Sequence, residues 1–118
     1  MTYLDFKSTI LTKTQDAQGN LPASFAKWKL VIIEGISRID KEIKLIIDET
    51  KVEIKTTDLL VDETSNIPIV EDLAVALVYY VSIIYTSDIT LKQKYILDYE
   101  DEKGIFIWNK FKEMELSI

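Results

Sequence analysis

The sequence predicts a mostly α-helical α+β domain: three to four helices, with a small β-hairpin between the second helix and a central apolar helix. Three observations carry this. Apolar residues recur at three- and four-residue steps on both sides of the middle of the chain. Between about residues 43 and 61 the period drops to two. The stretch 67–85, IPIVEDLAVALVYYVSIIY, is apolar on every side from Leu73 to Tyr85, Ser82 excepted. A helix apolar all round is either buried in a core or spans a membrane. A span needs about 20 apolar residues, and Pro68, Glu71 and Asp72 interrupt this one. It therefore reads as the central helix of a soluble domain, with Pro68 in its first turn and the two acids at the positive end of its dipole.

The first helix is expected to start at Thr2, with Asp5 three residues on completing a capping-box-like start. Leu4, Phe6, Ile10 and Leu11 form its loose apolar stripe, and Gly19-Asn20 is a turn signal. Pro22 is expected to open the second helix. Phe25, Trp28, Ile32, Ile36 and Ile39 then follow helical steps, and Val31 and Ile33 widen the face. Gly35 inside this pattern costs about 1 kcal/mol relative to Ala, so another backbone is expected close by. Lys27, Lys29, Glu34, Arg38 and Lys41 flank the face as solvated charges.

Around Ile43 the period changes. Lys51–Lys55 reads KVEIK, with Val52 and Ile54 on one side, and Ile43, Leu45 and Ile47 also alternate. An antiparallel hairpin turning at Asp48-Glu49-Thr50 follows from this, although Ile43–Ile47 can equally extend the second helix. Leu59–Val61 suggests a third short strand. A hairpin alone is marginal in water, so it must lie on the helices or pair with another copy. After the central helix, Thr86-Ser87-Asp88 breaks the pattern, and Ser87 or Asp88 can cap a last helix from about Asp88 to about Met114. Leu91, Tyr95, Tyr99, Glu102 and Phe106 fall on one line of that helix. Leu97, Asp101, Gly104, Trp108 and Phe111 fall on a second line, and Gly104 is expected to bend or end the helix. The final four residues, Leu116 apart, read as a frayed tail.

At 118 residues the chain reads as a single domain, 1–118, large enough for a real core. The net charge of −6 is uneven. Residues 1–60 carry nine Lys/Arg and nine Asp/Glu, whereas residues 61–118 carry five Lys against eleven acids, which is the whole excess. Gripping duplex DNA draws on Lys/Arg to neutralise phosphates, so the C-terminal half is a poor candidate for that. Cysteine and histidine are both absent. That removes disulfides, thiolate zinc sites, Ser-His and Cys-His catalysis, and the commonest transition-metal ligand. Met1 is followed by polar and acidic residues rather than a basic segment and an apolar run, so no secretory signal is expected.

Positive signs of chemistry are few. Glycines 19, 35 and 104 stand too far apart for a phosphate loop. Asp48-Glu49, Asp62-Glu63, Glu71-Asp72 and Glu100–Glu102 are read as a turn, a loop, a helix start and a solvated helix face rather than as acid–base pairs. The run at Glu100–Glu102 lacks the alternating spacing and turn glycine of a calcium loop. No enzyme, cofactor or metal is expected. The aromatics say more: Tyr79, Tyr80, Tyr85, Tyr95, Tyr99, Phe106, Trp108 and Phe111 all lie in the last forty residues. Many should fill the core between the central and last helices. Tyr and Trp are also enriched where a partner buries a surface. A central helix apolar all round leaves some of that surface for self-association, with Val75, Tyr79, Tyr85 and Trp108 as candidate subunit-interface residues.

The layout resembles the head–tail connector (adaptor, or neck) proteins of tailed bacteriophages. The resemblance is one of arrangement over most of the chain. A helix rich in apolar and aromatic residues leads to a short strand segment and then to a loop ending in Ile67-Pro68. A central apolar helix follows, then a short break and a helix of the form Lys-x-x-Tyr-x-x-x-Tyr, here Lys92, Tyr95 and Tyr99. The resemblance implies a structural ring subunit, seated between a portal protein and a tail or stopper protein, that lets DNA pass without specific binding. It implies a place in the virion, with assembly in the host cytoplasm and no membrane. Under it, Glu100, Asp101 and Glu102 become candidates for an acidic channel or exposed surface that repels phosphate. The basic residues that some members turn to DNA or portal are sparse here. The competing expectation is a small cytoplasmic regulatory module that dimerises through its central helix.

Overall fold

The computed structural model describes residues 1–15, 20–48 and 52–116. Four helices make up most of it: α1 (Tyr3–Thr14), α2 (Phe25–Lys44), α3 (Glu71–Tyr85) and α4 (Ile89–Leu116). The molecule is a slab of 52 × 34 × 19 Å, with α3 at its centre and α1, α2 and α4 packed around it.

The helix starts follow capping chemistry. Thr2 Oγ1 accepts from the Asp5 amide at 3.1 Å, and Ser24 Oγ accepts from the Lys27 amide at 3.3 Å. Each satisfies one of the amides that the first turn leaves without an intrahelical partner. Ser24, not Pro22, therefore opens α2. Asp88 Oδ1 accepts from the Leu91 amide at 3.0 Å and does the same for α4. α3 begins three residues after Pro68, with no side-chain cap but with Glu71 and Asp72 in its first turn. Gln15 ends α1 in the left-handed region, at φ 48°, while its amide donates to Leu11 O.

The α2 stripe goes inward as expected, with Trp28, Ile32, Ile36, Ile39 and Ile43 buried, whereas Ile33 remains outside. In α1 the buried set is Tyr3, Phe6 and Ile10, while Leu4 and Leu11 face solvent. Gly35 marks a close approach, though by side chains: a Cβ there would lie 2.7 Å from Leu77 Cδ1 and 2.9 Å from Tyr80 Cδ1 of α3. Gly104 does not end α4, which runs on past it to Leu116. On α4 the line Tyr95, Tyr99 and Phe106 is buried and the line Leu97, Gly104, Trp108 and Phe111 is exposed.

The hairpin is not formed among the described residues. Ile43 and Lys44 close α2, and residues 45–47 make a turn in which Leu45 is 87% exposed. The apparent alternation there is helical: Ile43 and Ile47 lie one turn apart and both are buried. The expected turn residues Glu49 and Thr50 lie outside the described residues, as do Gly19, Lys51 and the last two positions. The alternation at Val52–Lys55 does describe an extended segment, with Val52 and Ile54 buried and Glu53 and Lys55 exposed. Its partner is the segment before α3. Lys55 and Ile69 form an isolated antiparallel bridge, and the Val70 amide donates to Ile54 O at 2.9 Å. Pro68 sits in this pairing, its carbonyl accepting from the Thr56 amide. A second bridge joins Thr2 to Asn66, with Tyr3 N donating to Ser65 O and Ile67 N to Met1 O, both at 2.9 Å. Leu59–Val61 is not a strand; Leu60 is buried while Leu59 and Val61 point out. Ile47, Val52, Ile54, Leu60, Ile67 and Ile69 thus anchor the long α2–α3 connection to the core one side chain at a time.

Candidate interaction surfaces

The two tyrosines of the Lys-x-x-Tyr-x-x-x-Tyr pattern are architectural. Each reaches past α3 to a different helix. Tyr95 Oη donates to Lys13 O at the end of α1 at 2.8 Å, and its ring lies against Tyr79, centroids 5.8 Å apart. Tyr99 Oη donates to Glu42 Oε2 of α2 at 2.6 Å. Lys103, only 7% exposed, donates to the same oxygen at 2.6 Å and lies 4.3 Å from the centre of the Tyr99 ring. Arg38 on one side and Glu100 on the other extend the network. A lysine this buried needs paired charge and aromatic contact to offset its lost hydration, and this cluster supplies both.

Electrostatics follow from the geometry. Burial alone pushes the Glu42 carboxyl upward, but hydrogen bonds from Lys103 and Tyr99, and the Lys103 charge, outweigh it and hold the carboxyl below its ordinary value. Burial and the Glu42 carboxylate both push the Tyr99 phenol strongly upward. Neither group is primed for proton transfer near neutrality. The carboxylate is fixed as acceptor and the phenol as donor, which makes the cluster a clamp between α2 and α4.

The acidic residues at 100–102 do not form one surface. Successive helical residues point about 100° apart. Glu100 turns to Lys103 at 3.2 Å, Asp101 faces solvent, and Glu102 is half-buried on the side of Tyr79, whose phenol is raised by burial, then by Asp98 and by Glu102. The expected interface residues are likewise dispersed. Val75 is 40% exposed near the start of α3. Tyr79 packs against Tyr95 with the Lys13 ammonium 4.9 Å from its ring centre. Tyr85 is half-buried, its phenol raised by burial and then by Glu34 of α2. Only Trp108, 58% exposed, stands among other exposed apolar residues at three-residue spacing, Ile105 and Phe111 on the outer face of α4; Leu97 lies further toward the helix start, with Asp101 and Gly104 between. α3 itself is largely enclosed: Leu73, Ala74, Ala76, Leu77, Val78, Val81 and Ser82 are all buried, and of its large apolar residues only Val75 and Ile84 are exposed.

A second apolar surface was not foreseen. Between α2 and the 55–61 segment lies an open groove of about 360 Å³, walled by Ile33, Leu59, Val61 and Pro68 and edged by Lys29, Lys55 and Asp58. Its sequence signal was Ile33, an apolar residue off the core stripe of α2, together with Leu59 and Val61 flanking the buried Leu60.

Among the described residues no group of three or more Asp or Glu comes together to hold a metal ion, and no helix is long and apolar enough to cross a membrane. Comparison with known proteins returns no matching family model, no matching curated protein and no matching solved structure.

Proposed function

We propose that this chain is a structural subunit of a phage head–tail connector (adaptor or neck) ring, docking on a portal and passing DNA to the tail. The observation that carries the reading is the outer face of α4. Three helices pack around α3, yet Ile105, Trp108 and Phe111, at successive three-residue steps, remain exposed side by side on the outer face of α4. Patches of this kind mark sites of association. The acidic excess of the C-terminal half suits a wall past which duplex DNA slides without sticking. In this reading the protein belongs to the virion, is assembled in the host cytoplasm, and acts by shape rather than catalysis. Subunits associate weakly alone, because each contact in a ring is modest and the portal serves as template.

The regulatory-module alternative needed α3 as a dimer face, and the enclosure of α3 speaks against it. The deciding experiment mixes the purified chain with the portal protein encoded by the same genome and counts bound subunits by native mass spectrometry or electron microscopy. A fixed number of copies in a symmetric ring is the expected result. A chain that ignores the portal and forms a two-fold dimer persisting at nanomolar concentration would end the neck-ring reading.

A further inference from the structure

We infer that copies of this chain bind one another through two different surfaces, the Trp108–Phe111 face of α4 on one copy seating in the α2/55–61 groove of the next. The inference deepens the ring reading and rests on it for closure into a ring; the contact itself is argued from the surfaces.

The two surfaces fit in shape. Trp108 is a large, mostly exposed side chain, and one turn before it Gly104 leaves open space, with nothing within 4 Å of where a Cβ would stand. The bare turn lets a neighbouring backbone come close beside the indole. The groove, about 360 Å³ with Ile33, Leu59, Val61 and Pro68 on its walls, has room for an aromatic ring. Buried Trp anchors are the commonest strong points of protein interfaces.

Their placement excludes self-filling and favours a heterologous contact. Glu42 is the α2 residue that reaches α4, through Tyr99 and Lys103. Ile33 in the groove is nine residues earlier, about two and a half helical turns, and so points to the opposite side of α2. The chain's own α4 cannot reach its own groove. A patch and a groove on opposite flanks join copies end over end, and such contacts form rings when the rotation closes.

Charge agrees with shape. Lys29 and Lys55 edge the groove, Lys29 with no ion-pair partner among the described residues and Lys55 only 3.9 Å from Asp40. Asp58 edges it as well. Two turns before Trp108, Asp101 faces solvent on the same side of α4, and one turn after it the Lys112 ammonium lies 5.4 Å from the indole centre. Seating the indole in the groove brings the Asp101 carboxylate to a rim that carries Lys29 and Lys55, and the Lys112 ammonium to a rim that carries Asp58. Both signs on one surface thus find the opposite sign on the other, as steering requires.

The absence of cysteine makes a trapping experiment clean. A Thr56→Cys/Lys112→Cys double variant, treated with a short bis-maleimide, is expected to give a ladder of dimers, trimers and longer chains. Each single-cysteine variant alone should give no dimer, and their mixture should give a dimer and nothing longer. Adding Trp108→Ala to the double variant should lower the crosslinked yield at least about tenfold, the loss typical of a buried Trp anchor; a thermal melt confirms that this variant is folded. Three results each overturn the inference: no ladder, homodimers from Lys112→Cys alone, or a ladder that Trp108→Ala leaves unchanged. The portal experiment is independent. A ladder without portal binding keeps the contact and removes the neck reading, and portal binding without a ladder does the reverse.

Discussion

Alanine at each of the two helical glycines should have opposite consequences. A glycine inside a helix is about 1 kcal/mol less favourable than alanine. At Gly104 a Cβ meets nothing within 4 Å, so Gly104→Ala should recover that amount and stabilise the chain by about 1 kcal/mol. At Gly35 the same carbon would stand 2.7 Å from Leu77 Cδ1 and 2.9 Å from Tyr80 Cδ1. Leu77 is fully buried, and the Tyr80 ring is backed by Tyr99 at 5.9 Å, so neither swings freely away. Overpacking of this kind costs about 1–3 kcal/mol. Set against the propensity gain, Gly35→Ala should range from neutral to about 2 kcal/mol destabilising. The two variants should therefore differ by about 1–3 kcal/mol, or about 0.5–2 M in urea midpoint for a domain of this size. Equilibrium urea unfolding followed by circular dichroism measures this directly. If Gly35→Ala gains as much as Gly104→Ala, the close approach of α2 and α3 has no energetic weight and the packing argument fails.

Four further outcomes follow from the same geometry. Ile54→Ala should cost about 2–5 kcal/mol as a buried truncation, whereas Glu53→Ala beside it should stay within about 0.5 kcal/mol; equal effects in urea unfolding would show that the alternation does not set which side is buried. Because the folded Glu42 carboxyl lies below its ordinary value, its contribution is present above about pH 4.3, the unfolded value, and is lost as pH falls through the folded one. Glu42→Gln should flatten stability against pH in that acid window, and an unchanged acid limb would remove Glu42 from the clamp. The raised Tyr99 phenol has the opposite sense: its contribution is complete below about pH 10 and declines as pH rises above it. Ultraviolet titration should find Tyr99 ionising last of the six tyrosines, and Tyr99→Phe should abolish that last step. Trp108→Ala should change stability by no more than about 0.5 kcal/mol, since the side chain is mostly solvent-exposed; a large loss of melting temperature would place it in the core instead.

The helices were legible because their signals are local. Thr2 with Asp5, the three- and four-residue steps from Trp28 to Ile39, and the acids at the head of α3 need no knowledge of the rest of the chain. The β segment was only half legible. Val52 and Ile54 announce a buried side, but alternation does not name a partner, and the partner proved to be Ile69 rather than Ile43–Ile47. Ile43, Leu45 and Ile47 alternate in sequence, yet Ile43 and Ile47 also satisfy a helical step, and the helix prevailed. Of the two lines on α4, periodicity identified both and ranked neither. Which one goes inward depends on Tyr95 and Tyr99 finding Lys13 and Glu42, residues more than fifty positions away. Lys103 inside a clamp is a product of tertiary packing that no run of neighbouring residues announces, and Ile33, Leu59 and Val61 signal a groove only once packing has brought them together.

The bridge between Thr2 and Asn66 bears on how the chain is made. A ribosome delivers α1 first, yet the backbone groups that hold its beginning, at Ser65 and Ile67, arrive some sixty residues later. α3, against which α1 packs, comes later still. Until then Tyr3 and Phe6 have only Phe25 and Trp28 of α2 to pack on, and the rest of their core is missing. α3 and α4 are sequence neighbours and can pair as soon as both have emerged. α1 is thus made well before α3, and its docking there waits on contacts of long sequence separation whose loop-closure entropy must be met first. During that interval its apolar side is what a chaperone, or another nascent chain, would encounter.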